Sequence, residues 1–154
     1  MHHELRRKDR GLTESEAREL LERCEWGTLS TCGPDGQPYG IPLSYCVLKD
    51  AIYFHSALEG HKLDNLAADK RVSFCVVGAT EVLPDQFATR YESVVVSGKA
   101  AEVFADEKQL PLEGLLKKYS AGYILEGMNY ITVEEDRTRV FKISIDTICG
   151  KARR

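Results

Sequence analysis

No run of apolar residues in this sequence approaches the ~20 that a membrane helix requires. The N-terminal residues carry no apolar segment of the signal-peptide kind. Together these two absences predict a cytoplasmic chain that does not engage membranes. Positive charge is not in excess either. Lys and Arg number 21 against 24 Asp and Glu, for a net charge of −3, which argues against a general nucleic-acid binder with a basic face. The basic clusters Arg6, Arg7, Lys8, Arg10 and Lys151, Arg153, Arg154 sit near the two ends and read as solvated tails.

Paired metal ligands are missing as well. The five cysteines, Cys24, Cys32, Cys46, Cys75 and Cys149, form no C-x-x-C pair and are odd in number. A structural zinc site is therefore not expected. Reduced, buried thiols are expected instead, with Cys32, beside a turn, the one to test for reactivity. His2 and His3 are set aside from any metal argument, and no metal site is predicted. No G-x-G-x-x-G follows a strand, so a Rossmann-type nucleotide site has no support. No Ser/His/Asp or paired-carboxylate arrangement stands out.

What is present reads as one small domain of about residues 12–151 behind a flexible tail, 1–11. The 154 residues are 43% hydrophobic and 29% charged, enough for a packed core. Thr13 and Glu16 form a capping box ahead of a helix over Glu14–Arg23. Strands follow over Gly27–Thr31 and Pro38–Leu48, hinged on the turn Gly33-Pro34-Asp35-Gly36. Pro42 marks an edge, a bulge or a ligand-facing gap in the second of them. After Lys49-Asp50, Ala51–His55 is a third strand, and Lys62–Ala68 is a short helix. Val72–Val77 is a strand, Gly78–Arg90 reads as loop, and Tyr91–Phe104 is a long strand with a kink or bulge at Gly98. Asp106 caps a helix towards Tyr119, Gly122–Asn129 has no assignment, and Thr138–Ile145 is the last strand. Tight turns between about six strands predict a mainly β fold, an antiparallel sheet or small barrel.

The most informative segment is Ile52-Tyr53-Phe54-His55-Ser56-Ala57-Leu58-Glu59-Gly60-His61-Lys62-Leu63-Asp64-Asn65-Leu66. A strand ends, a polar turn follows, and a helix begins. His55, Ser56, His61 and Lys62 gather donors and positive charge at a helix start, which suits a phosphate. The competing structural reading makes Gly60 a plain helix-start glycine, with His61 and Lys62 solvated.

With the order of its elements, this segment resembles the flavin-binding split barrels of the pyridoxamine 5′-phosphate oxidase-like superfamily, and within it the nitroimidazole-resistance (Nim-type) branch. W-G-T-L-S-T, G-Q-P-Y-G-I-P-L-S-Y, R-Y-E-S-V-V-V-S-G-K-A and F-K-I-S-I-D-T-I-C-G-K carry the likeness over about Leu12–Lys151. It implies a six-stranded antiparallel split β-barrel, homodimeric, with FMN at the subunit interface. Ile41, Pro42, Leu43 and Ser44 match the strand along the flavin ring. Phe54 and His55 match the strand end at the ribityl phosphate, and His61 and Lys62 the pair that holds the phosphate. Ser93 matches a polar position near the flavin, from the neighbouring subunit or at the ring edge. Ser56 joins the phosphate donors on its chemistry.

The pyridoxamine oxidases carry C-terminal arginine and tryptophan for their substrate, whereas the only tryptophan here is Trp26, which places vitamin B6 oxidation in doubt. The resemblance instead implies an FMN-dependent oxidoreductase. It would pass electrons, with NADH or NADPH as a candidate donor, to a small electron-poor acceptor such as a nitroaromatic. The flavin carries the hard chemistry, and no catalytic side chain is assigned, although His55 is the candidate to test. Alternatives are a non-catalytic flavin- or haem-binding sensor or store, and an unliganded barrel acting in protein association. Tyr45, Tyr53 and Tyr91 either stack on a ligand or fill the core.

Overall fold

The computed structural model describes residues 3–154; Met1 and His2, part of the expected tail, lie outside the described residues. Seven strands form a single antiparallel sheet: β1 (Gly27–Cys32), β2 (Pro38–Leu43), β3 (Cys46–Leu48), β4 (Ala51–Ser56), β5 (Arg71–Leu83), β6 (Ala88–Val103) and β7 (Arg139–Arg153). Their spatial order is β2-β1-β5-β6-β7-β4-β3. Among the described residues, four α-helices accompany them: α1 (Glu14–Arg23), α2 (His61–Ala68), α3 (Asp106–Tyr119) and α4 (Ile124–Glu134). None of the described helices is long and apolar enough to cross a membrane.

The strands are seven rather than the expected six because the run Pro38–Leu48 is two strands, β2 and β3, at opposite edges of the sheet. Pro42 has no N–H to give a ladder, which fits an edge strand, and Tyr45 leaves the ladder for bonds to α3. The stretch Gly78–Arg90 is not a loop. Thr80–Leu83 pairs with Ala88–Tyr91 in a hairpin that closes through Phe87 at φ 49°. Most of its residues are exposed on both faces, so no alternation of polarity marked it as strand. Gly122–Asn129 lies mostly within α4. Ala105, not Asp106, occupies the N-cap of α3.

The last strand runs on to Arg153. Lys151 and Arg153 therefore pair with Ser93 and Tyr91 of β6 instead of forming a solvated tail. The capping box of α1 forms as the sequence predicts, with the Glu16 amide donating to Thr13 Oγ1 at 3.2 Å and the Thr13 amide to Glu16 Oε2 at 2.8 Å. The irregularity at Gly98 is present too: the β6–β7 register shifts between Ser97 and Gly98. A Cβ on Gly98 would lie 2.1 Å from the Ser144 carbonyl oxygen, so only glycine permits that approach.

Inward residues of the sheet build the main core. Leu29, Phe54, Phe74, Val94, Val96 and Ile143 are fully enclosed, and burial of each such side chain contributes about 1.5–3 kcal/mol. The outer face of β4 and β7 carries a second cluster. There Tyr53, Val103 and Val140 meet Leu112 and Leu115 of α3 and Ile131 of α4. Strict alternation along β4 sends Phe54 to the first cluster and Tyr53 to the second.

Candidate functional site

Only Ser44 and Tyr45 separate β2 from β3, the first and last strands of the sheet. Three Cα-to-Cα steps reach at most about 11 Å, so the sheet curls until its edges meet at this corner. They meet without pairing, which leaves a split. β2 pairs only with β1. β3 pairs with β4 only over Ala51–Tyr53, so Phe54, His55 and Ser56 have β7 on one side and no strand on the other. Ile41–Ser44 and Phe54–Ser56 thus border the split with backbone groups that the sheet does not use, and such an edge is open to a ligand's hydrogen bonds.

α2 begins at one end of this split. Its N-cap, Gly60, has φ 149° and ψ 169°, backbone that residues with a Cβ rarely adopt. A Cβ there would meet nothing within 4 Å, so conformation rather than space requires glycine. The first amides of the helix, on His61 and Lys62, have no carbonyl one turn back. The His61 ring stacks on Tyr39 of β2, centroids 3.9 Å apart and 28° from parallel. Buried Asn65 donates from Nδ2 to Thr31 Oγ1 of β1 at 3.0 Å. These two contacts fix the helix start against the β1–β2 edge.

The expected residues occupy this frame unevenly. Ile41 and Leu43 turn their side chains to the core, and Pro42 and Ser44 are exposed. Phe54 is enclosed and stacked on Phe141 at 5.5 Å, so it offers the split its backbone only. Ser56 is buried and donates its hydroxyl to the Ala57 carbonyl at 3.0 Å. His55 points to the opposite face of β4. It is exposed there, at the edge of a cleft; desolvation by the surrounding protein, and then the charge of Lys62, lower its imidazole pKa from the ordinary value. His55 and Lys62 are electrostatic neighbours. Ser93 is elsewhere. Val140 pairs with both His55 and Val103, whereas Ser93 stands ten positions back from Val103 along β6, about 33 Å of extended chain. Tyr45 and Tyr53 are core residues, and Tyr91 shares the far end of β6 with Ser93.

The cleft beside His55 has a volume of about 310 Å³. Leu112, Leu115, Leu116 and Tyr119 of α3, with Tyr130 and Ile131 of α4, give it an apolar wall; Ser44 and His55 line it from the sheet side, and Glu134 and Glu135 add carboxylates. The sequence reading did not include this wall. Its signal was the i, i+3, i+4 spacing of Leu112, Leu115 and Leu116.

The end of α3 also ties down the corner of the split. Tyr119 Oη accepts from the Tyr45 amide at 3.1 Å and donates to the Glu25 carbonyl; Lys118 Nζ donates to the Tyr45 carbonyl at 2.9 Å and lies 3.8 Å from the Tyr45 ring centroid. The Tyr45 ring packs edge-on against Phe74 at 4.8 Å, and its hydroxyl donates to the Leu21 carbonyl. All five cysteines are free, and burial raises the thiol pKa of Cys24 and Cys75 and pushes that of Cys46 up to about 11.

A family model described as pyridoxamine 5′-phosphate oxidase matches residues 13–152. No curated protein matches the chain at a significant level. Among solved structures, a candidate 5-nitroimidazole antibiotic resistance protein from Bacteroides thetaiotaomicron is 18% identical with a TM-score of 0.74, over 98% of this chain and 96% of that one. A FAD-binding protein from Mesorhizobium loti is 24% identical, TM-score 0.65, over 94% and 98%. The FAD and heme binding protein from Mycobacterium smegmatis is 20% identical, TM-score 0.79, over 91% and 71%. At these identities the likeness is one of fold.

Proposed function

Because the chain belongs to the pyridoxamine 5′-phosphate oxidase family, we propose that it binds FMN in the split and acts as a flavin-dependent oxidoreductase on small electron-poor acceptors such as nitroaromatics. One observation carries this reading: two strand edges with unused backbone groups converge on a helix start that bears His61 and Lys62. That donor set fits the group. A phosphate calls for amide donors and positive charge, which the start of α2 supplies. A flat ring with polar edges calls for backbone donors and acceptors, which Ile41–Ser44 supply. Flavin, when bound, contributes the electron transfer itself.

The chain's own residues do the rest. Lys62 and His61 anchor the phosphate, and the stack on Tyr39 limits where His61 points. The apolar wall of α3 and α4 offers an acceptor a hydrophobic surface in the cleft. Its volume is near the lower end of small-molecule sites, which favours a compact acceptor. His55, held neutral near pH 7, presents one ring N–H and one ring acceptor there, which makes it the candidate to position the acceptor or hand it a proton.

Ser93 is too far along β6 to join this group within one subunit, and it enters the site only if a second copy brings it. The protein therefore works as a homodimer in this reading, with no metal, and NADH or NADPH is the electron donor to try first.

A second reading, haem or flavin held without turnover, has His55 behind it: a neutral imidazole at the mouth of an apolar cleft can ligate iron. The spectrum of the purified protein separates the two, since a band near roughly 450 nm belongs to flavin and an intense one near roughly 400 nm to haem. Anaerobic reduction with NADH or NADPH, followed by a panel of nitroaromatics, tests turnover; a protein that takes up no flavin on titration with FMN removes the reading.

A further inference from the structure

Tyr45 is the point at which the sheet's two edges meet, and no strand is available to pair with its backbone. Its carbonyl and its amide are nonetheless both taken, by two consecutive residues at the C-terminal end of α3. The Tyr119 hydroxyl is shared further with the Glu25 carbonyl, just beyond α1, so one phenol clips α3, the segment after α1 and the β2–β3 corner together. The Lys118 ammonium also faces the Tyr45 ring, which holds the long side chain along one line. Burial lowers the ordinary pKa of Lys118. The two bonds to Tyr45 are part-buried, while Tyr119 itself is exposed and its bond to Glu25 faces solvent.

The residue before Tyr45 is Ser44, which borders the split and also lines the cleft. The same helix that clips Tyr45 provides four residues of the cleft wall, Leu112, Leu115, Leu116 and Tyr119. A shift of α3 therefore moves the wall and the strand edge together. Resting on the flavin reading above, we propose that Lys118 and Tyr119 are positioning residues for the split: by holding both backbone groups of Tyr45 they set Ser44 and the β2 edge in the arrangement that receives the cofactor, and they couple that edge to the wall of the acceptor cleft. Neither residue touches the reacting atoms. They act through Tyr45.

The test uses the full-length protein, with amide hydrogen exchange read residue by residue before and after addition of FMN, and FMN affinity from titration. In Tyr119→Phe the ring stays and the hydroxyl goes. The Tyr45 amide is then expected to exchange about tenfold faster, the size of one net hydrogen bond, with the central β5–β6 amides unchanged. Lys118→Met is expected to weaken FMN binding by about fivefold to tenfold, and Lys118→Arg, which can still reach the Tyr45 carbonyl, to restore most of it.

Unchanged exchange at Tyr45 in Tyr119→Phe overturns the clip. Faster exchange there with FMN affinity unaltered in both variants overturns the positioning role, as does exchange that rises uniformly through the sheet, which marks a purely structural contact. If the unaltered protein binds no FMN, the flavin reading fails and takes the positioning role with it. If it binds FMN and the variants bind equally well, only this inference fails.

Discussion

Lys62 and His55 make opposite demands on charge at the same strand end. Lys62 is the cation suited to a phosphate, and its field adds to burial in keeping His55 unprotonated. Lys62→Ala is expected to weaken FMN binding by about 1.5–3 kcal/mol, the scale of a hydrogen bond to a charged group, as read by titration of the apo-protein. The same substitution removes a repulsion, so the imidazole pKa of His55, followed by NMR, is expected to move up towards its ordinary value near 6.5.

The folded-state pKa of His55 lies below its unfolded value, so the unfolded chain binds more protons at mildly acidic pH, and stability rises with pH there. The penalty is absent above the unfolded value near 6.5 and grows as pH falls towards the depressed folded value. His55→Asn is therefore expected to lose less melting temperature than the unaltered protein between pH 7.5 and pH 5. Equal losses would show that this imidazole is not the titrating group.

At the scale of elements, local chemistry was legible and long-range consequence was not. The capping box at Thr13 and Glu16 and the bulge at Gly98 could be read from a few neighbouring residues. So could the strand, turn and helix start that carry His55, Ser56, His61 and Lys62, because they follow one another in the chain. The division of Pro38–Leu48 into two edge strands could not, since it shows only in the pairing of β2 with β1 and of β3 with β4. The cleft wall showed only as the i, i+3, i+4 spacing of Leu112, Leu115 and Leu116, whose partners lie far along the chain, and the Gly78–Arg90 hairpin was hidden because exposure on both faces erases alternation. Gly60 joins β4 to α2 with a backbone that disfavours any Cβ. Gly60→Ala is expected to lower stability by about 1–3 kcal/mol in chemical unfolding, the usual strain at such a position, and to weaken FMN binding as α2 shifts.

For the whole molecule, the separation of Ser93 from Lys62 decides how the assembly must work if the flavin reading holds. Ser93→Ala is expected to change flavin fluorescence or midpoint potential more than melting temperature. Dimers mixed from a Lys62→Ala subunit and a Ser93→Ala subunit offer a sharper measurement. If each site draws on both subunits, one site in such a mixed dimer carries both defects and the other carries neither. Titration is then expected to show one tight site per dimer whose bound flavin has the fluorescence of the unaltered protein. A tight site with the altered fluorescence of Ser93→Ala would place both residues in one subunit.

β7 has β6 on one side and β4 on the other. Without it the remaining strands fall into two groups, β2-β1-β5-β6 and β4-β3, joined through the sheet by nothing. Translation delivers this keystone after every other strand, so a nascent chain can hold its hairpins but cannot yet own a pocket. Release of a chain ending at Thr138 is expected to yield a protein with no flavin in its spectrum and strand edges free to aggregate, and a synthetic peptide of residues 139–153 supplied in trans is the direct way to ask whether that last insertion alone restores capture.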